Sequence, residues 1–73
     1  MKETILITGG TGFLGRRLGI QLNDKYDVIL TGRNNKQNAF ANKFTGCKVL
    51  PLDISNIEAV RDVVIETKPS III

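Results

Sequence analysis

With 73 residues, 42% of them apolar and 23% charged, the chain has the size and composition of one small globular domain and not of a disordered tail. Ten Lys and Arg against seven Asp and Glu leave a net charge of +3, but the basic residues are scattered from Lys2 to Lys68, often beside acids as in Arg61-Asp62, which argues against a nucleic-acid face. A lone Cys47 excludes an internal disulfide, the absence of histidine removes the commonest metal ligand and general base, and no apolar run is long enough to span a bilayer, so the expectation is a cytoplasmic protein with no membrane or nucleic-acid partner.

The first predicted element is a short strand over Thr4 to Thr8, almost continuously apolar, as a strand buried on both faces should be. It runs into Thr8-Gly9-Gly10-Thr11-Gly12-Phe13-Leu14-Gly15. Leu14, Leu18 and Leu22 then recur every fourth residue and predict an amphipathic helix of about three turns, ended by Asn23 and Asp24. Gly15 and Gly19 lie on that helix, which points to a face pressed close to a sheet.

Asp27 to Thr31 reads as a second buried strand, closed by Gly32-Arg33-Asn34-Asn35. Lys36 to Phe44 is rich in asparagine and only weakly helical, with Ala39, Phe40 and Phe44 as its apolar stripe. Cys47 to Leu50 is a third strand, running into Pro51-Leu52-Asp53-Ile54. Ser55 and Glu58 have the spacing of a capping box, and Ile57, Val60, Val63 and Val64 give the helical period that Pro69 ends. Ser70 to Ile73 begins a fourth strand.

The order β-α-β-α-β-α-β, with right-handed crossovers, implies a parallel α/β sheet with strand order 3-2-1-4, the incomplete half of a doubly wound fold. The last strand would then be an edge of bare isoleucines, open to self-association, and the chain reads as the front part of something longer.

A strand that breaks at glycines and restarts as a helix turns free backbone N–H groups outward, at the positive end of the helix dipole, which suits a pyrophosphate. Gly10, Gly12 and Gly15 fit the spacing G-x-G-x-x-G, and Gly9, Gly12 and Gly15 fit G-x-x-G-x-x-G. In either reading the glycines provide a tight turn, unobstructed approach to phosphate, and close helix–sheet packing. At the end of the second strand an NAD site usually carries Asp or Glu about 20 residues past the glycines. Here Thr31-Gly32-Arg33-Asn34 offers a guanidinium and no carboxylate, which favours the 2′-phosphate of NADP over NAD, with Lys36 nearby. The alternative is that Arg33 is a solvated strand-end arginine. Asp53 has two readings, acceptor for the adenine amine or support for the next helix start. Arg16 and Arg17 read as solvated helix residues, with a phosphate contact by one of them as the alternative, and Phe13 and Phe40 as core or lid packing and not as base-stacking groups.

Thr8 to Gly15 resembles the Thr-Gly-x-x-Gly-x-x-Gly fingerprint of the extended short-chain dehydrogenases/reductases, the NAD(P)-dependent epimerase/dehydratase group. The resemblance makes Gly9, Gly12 and Gly15 the family glycines, and implies cofactor contacts along Thr11, Phe13 and Leu14, at Arg33 and Asn34, and at Asp53-Ile54, the adenine position. Residues 1–73 then correspond to the N-terminal portion of a NAD(P)-binding Rossmann domain. It also implies hydride chemistry on a substrate that is often a nucleotide sugar, performed by a Tyr-x-x-x-Lys pair. Tyr26 is followed four places later by Leu30, so no catalytic residue carries over. A non-catalytic NADP-sensing module, or a fragment inactive by itself, are the competing readings.

Overall fold

Seven elements form in the order expected in the computed structural model, which describes residues 2–73: β1 (Thr4–Ile7), α1 (Phe13–Leu22), β2 (Asp27–Gly32), α2 (Asn35–Thr45), β3 (Lys48–Pro51), α3 (Ile57–Thr67) and β4 (Ile71–Ile72). All strand pairs are parallel and the sheet order is β3-β2-β1-β4, as expected from right-handed crossovers. β1 is central, with Ile5 opposite Val28 and Ile7 opposite Leu30 in β2. These four side chains, with Ala41 and Cys47, make the core under α1 and α2, and Leu18, Leu22, Tyr26 and Val49 pack against it. Each fully buried aliphatic chain here contributes roughly 1.5–3 kcal/mol. Leu6 and Ile29 alternate to the other face and are also buried.

The helices follow rules other than their apolar period in three places. In α1, Leu14 is 71% exposed, so the expected leucine stripe is reduced to Leu18 and Leu22; the buried positions are Gly15 and Gly19. A Cβ on Gly19 would sit 3.2 Å from Leu30 and 3.3 Å from the Cys47 sulfur, so Gly19 is the residue that lets α1 lie against the sheet.

In α2 the inward residues are Asn38 and Ala41, while Phe40 and Phe44 are exposed, against the expected Ala39–Phe40–Phe44 stripe. The helix is held by asparagines spaced one turn apart. Asn34 caps it by accepting from the Gln37 N–H, Asn38 Nδ2 donates to the Gly32 carbonyl at 2.9 Å, and Asn42 Nδ2 donates to the Cys47 carbonyl at 2.9 Å. Gly46, in the left-handed region at φ 74°, closes it.

In α3 the cap is Asn56, whose side chain accepts from the Ala59 N–H; the Ser55–Glu58 capping box does not form, because Ser55 turns back to Asp53. Val60, Val63 and Val64 are half-buried, and Ile57 and Ile65 are exposed. Lys68 ends the helix in a left-handed conformation just before Pro69. β4 continues the sheet: Ile73 N–H donates to Leu6, and Thr8 N–H and hydroxyl both donate to the Ile73 carbonyl. Ile71, Ile72 and Ile73 stay exposed along this edge, as the sequence suggested.

Candidate functional site

All strands being parallel, their C-terminal ends meet at one end of the sheet, where loops from β1, β2 and β3 converge around a cleft of about 560 Å³. Gly9, Thr11 and Gly12 form one side, Gly32, Arg33, Asn34 and Gln37 another, and Leu52, Asp53, Ile54 and Ser55 the third.

The glycine turn is built by two conformational requirements. Gly9 has φ 62°, a region L-residues with a Cβ avoid, and this turns the chain off β1. Gly15 is buried against the turn itself: a Cβ there would lie 2.5 Å from the Gly10 carbonyl oxygen. Its closest approach is therefore to the backbone of Gly10, in the turn that leaves β1. Gly10 in turn is crowded by the Ile7 carbonyl and Leu30, and its N–H donates to the Thr31 carbonyl at 2.8 Å. The turn is thus pinned on both sides. The left-handed conformation falls at Gly9 and not at Gly10, so the geometry matches the Gly9-Gly12-Gly15 spacing.

Gly12 is the N-cap of α1 and provides no side chain to cap it. The first N–H to bond back along the helix is that of Arg16, to the Gly12 carbonyl at 3.0 Å, so among the described residues the donors of Phe13, Leu14 and Gly15 lack the intrahelical partner, as at any helix start. A Cβ on Gly12 would meet only the Gly9 carbonyl oxygen, at 3.6 Å, so the cap faces open space. An uncapped helix start behind a bare α-carbon at the mouth of a cleft fits an anionic group.

Arg33 and Asn34, both exposed, continue the lining from the end of β2. Asp53 lies across from them. Its Oδ1 accepts from the Ser55 hydroxyl at 2.7 Å and the Ser55 N–H at 3.0 Å. Those two bonds, and to a smaller degree the Arg33 guanidinium, hold its carboxyl below the ordinary value of 3.8. The carboxylate thus shapes the turn into α3, one of the two roles the sequence left open, while also lining the cleft.

Seven of the residues singled out in the sequence meet at the cleft: Gly9, Thr11, Gly12, Arg33, Asn34, Asp53 and Ile54. The side chains of Phe13 and Leu14 are 70% and 71% exposed and do not line it, and Gly15 is buried beneath it. Phe13 and Phe40 lie at the surface, which corrects the core reading, and Phe40 stacks there on Phe44 with ring centroids 5.6 Å apart. Arg16, expected to be solvated, is a brace: Nη1 donates to the Thr11 carbonyl at 3.0 Å and its guanidinium lies 5.0 Å from the Phe40 ring centroid and 6.0 Å from that of Phe44. Gly32 belongs to the strand-end stretch read for cofactor choice, while Gln37, Leu52 and Ser55 were not anticipated as lining residues. An Asp-x-Ser pattern, which favours a side-chain-closed turn, is the one signal that could have indicated Ser55.

No group of three or more metal-ligating side chains occurs among the described residues, and no helix of theirs is long and apolar enough to cross a membrane. No curated protein matches the chain in sequence. Among solved structures, a protein described as an epimerase from Burkholderia cenocepacia J2315 is similar at 30% identity and TM-score 0.81, over 96% of this chain and 23% of that one. A protein described as a short-chain oxidoreductase from Thermus thermophilus is similar at 30% identity and TM-score 0.74, over 86% of this chain and 31% of that one. A short chain dehydrogenase from Bacillus anthracis shares the fold at TM-score 0.77 and 17% identity, over 88% of this chain and 29% of that one. The chain thus spans less than a third of the length of each of these proteins. The model of the NAD dependent epimerase/dehydratase family matches residues 5–73, from within β1 through the glycine turn to the end of the chain, and the chain belongs to that family.

Proposed function

We propose that the cleft binds NADP, and that the chain is the cofactor-binding segment of an oxidoreductase, or of an epimerase, dehydratase or reductase acting on a nucleotide sugar. One observation carries the reading: a single cleft joins an uncapped helix start behind the bare Gly12 to a guanidinium at the end of β2, a strand end that itself offers no carboxylate, the nearest in the cleft being Asp53 on the β3 side. The pyrophosphate is assigned to the N–H groups at the start of α1, the 2′-phosphate to Arg33 with Asn34, and the adenine to Asp53 and Ile54. Bound there, NADP supplies the hydride donor or acceptor of the family's chemistry. The chain's own residues bind and orient. Tyr26 packs against the core before β2, so it is not assigned an acid/base role.

The test is calorimetric titration of the 73-residue chain with NADPH and NADH. NADPH should bind at least about tenfold tighter, as expected for a charge-assisted contact to the extra phosphate, and Arg33→Ala should erase the difference. Equal affinity for the two, or an unchanged preference in R33A, would overturn the assignment. The exposed β4 edge is assigned to self-association of the isolated chain, which sedimentation over a concentration series reads directly.

A further inference from the structure

Behind the cleft, one glycine collects contacts from every wall. The Gly32 carbonyl accepts from the Leu52 N–H at 3.0 Å and from Asn38 Nδ2 at 2.9 Å, which ties the end of β2 to the end of β3 and to α2. The preceding carbonyl, of Thr31, accepts the Gly10 N–H of the glycine turn. The Gly32 α-carbon is enclosed by two polar side chains: a Cβ there would collide with Thr11 Oγ1 and lie 2.6 Å from Asn38 Oδ1. Thr11 is buried at 3% exposure and Asn38 at 9%.

Asn38 is unusual within this group. Its Oδ1 is buried and has no hydrogen-bond partner, a state that costs free energy and that an apolar side chain of the same shape would avoid. What the amide does provide is the grip of Nδ2 on the Gly32 carbonyl. Because the peptide unit is planar, fixing that carbonyl also fixes the N–H and α-carbon of Arg33. On the far side, the Asn34 side chain is fixed as the cap of α2 by accepting from the Gln37 N–H at 3.0 Å. Arg33 therefore projects from between two pinned points, although its own side chain is exposed.

We propose that Asn38 is a positioning residue for nucleotide binding: its hold on Gly32, with Thr11 also packed against that α-carbon, sets the direction of Arg33 relative to the glycine turn. Asn38 touches no ligand and acts through the Gly32–Arg33 peptide. The proposal rests on the NADP reading for its affinity consequence, but the hold on Gly32 has its own readout without nucleotide.

The test uses Asn38→Leu, which keeps the shape and removes both the donor and the orphaned oxygen, and Asn38→Asp, which places an acceptor against the carbonyl. Hydrogen exchange without ligand should show the Leu52 N–H losing protection in both variants while the central β1 amides keep theirs; a residue that merely supports folding would speed all of them together. NADPH affinity should fall roughly three- to thirtyfold in N38L, the range for residues acting through a packed network. NADH affinity should fall less, because the extra phosphate is the group Arg33 is aimed at. Unchanged Leu52 exchange in N38L overturns the proposal, as does an equal loss for the two nucleotides. If the unmodified chain binds neither nucleotide, the NADP reading falls while the exchange result still decides whether Asn38 holds the loop. Should N38L be recovered unfolded, Asn38→Ser is given the same two measurements.

Discussion

Gly15→Ala sets two known effects against each other. Alanine is the better helix former by roughly 1 kcal/mol, and Gly15 lies inside α1, so propensity alone would stabilise the chain. The new Cβ, however, would lie 2.5 Å from the Gly10 carbonyl oxygen and 2.7 Å from its carbon, and these are backbone atoms of a turn already crowded by the Ile7 carbonyl. Overpacking of this kind costs about 1–3 kcal/mol, and here no flexible side chain can give way. A clash against rigid backbone belongs at the upper end of that range, so after the roughly 1 kcal/mol propensity gain the net expectation is a loss of about 2 kcal/mol, measurable by urea denaturation as a lower midpoint at unchanged slope. A chain of this length has a total stability of about 4–11 kcal/mol, so the loss is large enough to resolve. The control is Gly12→Ala, where the Cβ would meet only one oxygen at 3.6 Å. G12A should unfold within about 1 kcal/mol of the parent, the difference between glycine and alanine at an N-cap, yet bind NADPH far more weakly because the methyl stands where the phosphates are assigned. A G15A chain as stable as the parent would refute the close approach of α1 to the glycine turn, and with it the role given to Gly15.

Further predictions concern the braces around the cleft. Arg16→Ala removes a hydrogen bond to the Thr11 carbonyl and a guanidinium above two aromatic rings, and should lower unfolding stability by about 1–2 kcal/mol, whereas a solvated arginine would cost almost nothing. Asn56→Ala should cost about 1 kcal/mol as the loss of a helix cap, and more than Glu58→Ala; the reverse order in chemical denaturation would restore the capping box. The Asp53 carboxyl titrates below its ordinary value in the folded chain, so its contribution is present at pH above about 4 and is lost as pH falls through the lowered value; D53N should therefore flatten the acid limb of a stability-against-pH curve without changing the neutral region's pH dependence.

The alternation of strands and helices was legible in the sequence, because apolar runs of strand length, glycines and prolines are local signals. So was the order β3-β2-β1-β4, because right-handed crossovers leave few ways to assemble such elements. The glycine turn and the guanidinium at the end of β2 could be read for the same reason: Gly9, Gly12 and Arg33 act where the chain leaves a strand.

Which side of α2 faces inward was set by tertiary packing. Its sequence offers two phenylalanines as a stripe, but the neighbours waiting on the sheet side are the carbonyls of Gly32 and Cys47, and amides of Asn38 and Asn42 satisfy them. The partner of Gly15 is likewise a product of the fold, since Gly10 is reached through the path of the turn and no spacing rule names it. Arg16 reaches Phe40 and Phe44 because α2 brings them over from far along the chain. The cap of α3 has the same origin: Ser55 is one residue from the capping position, and the nearby Asp53 carboxylate engages its hydroxyl, leaving Asn56 to cap. In each case the sequence shows a group's capacity to bond, and its partner is fixed by distance in the folded chain.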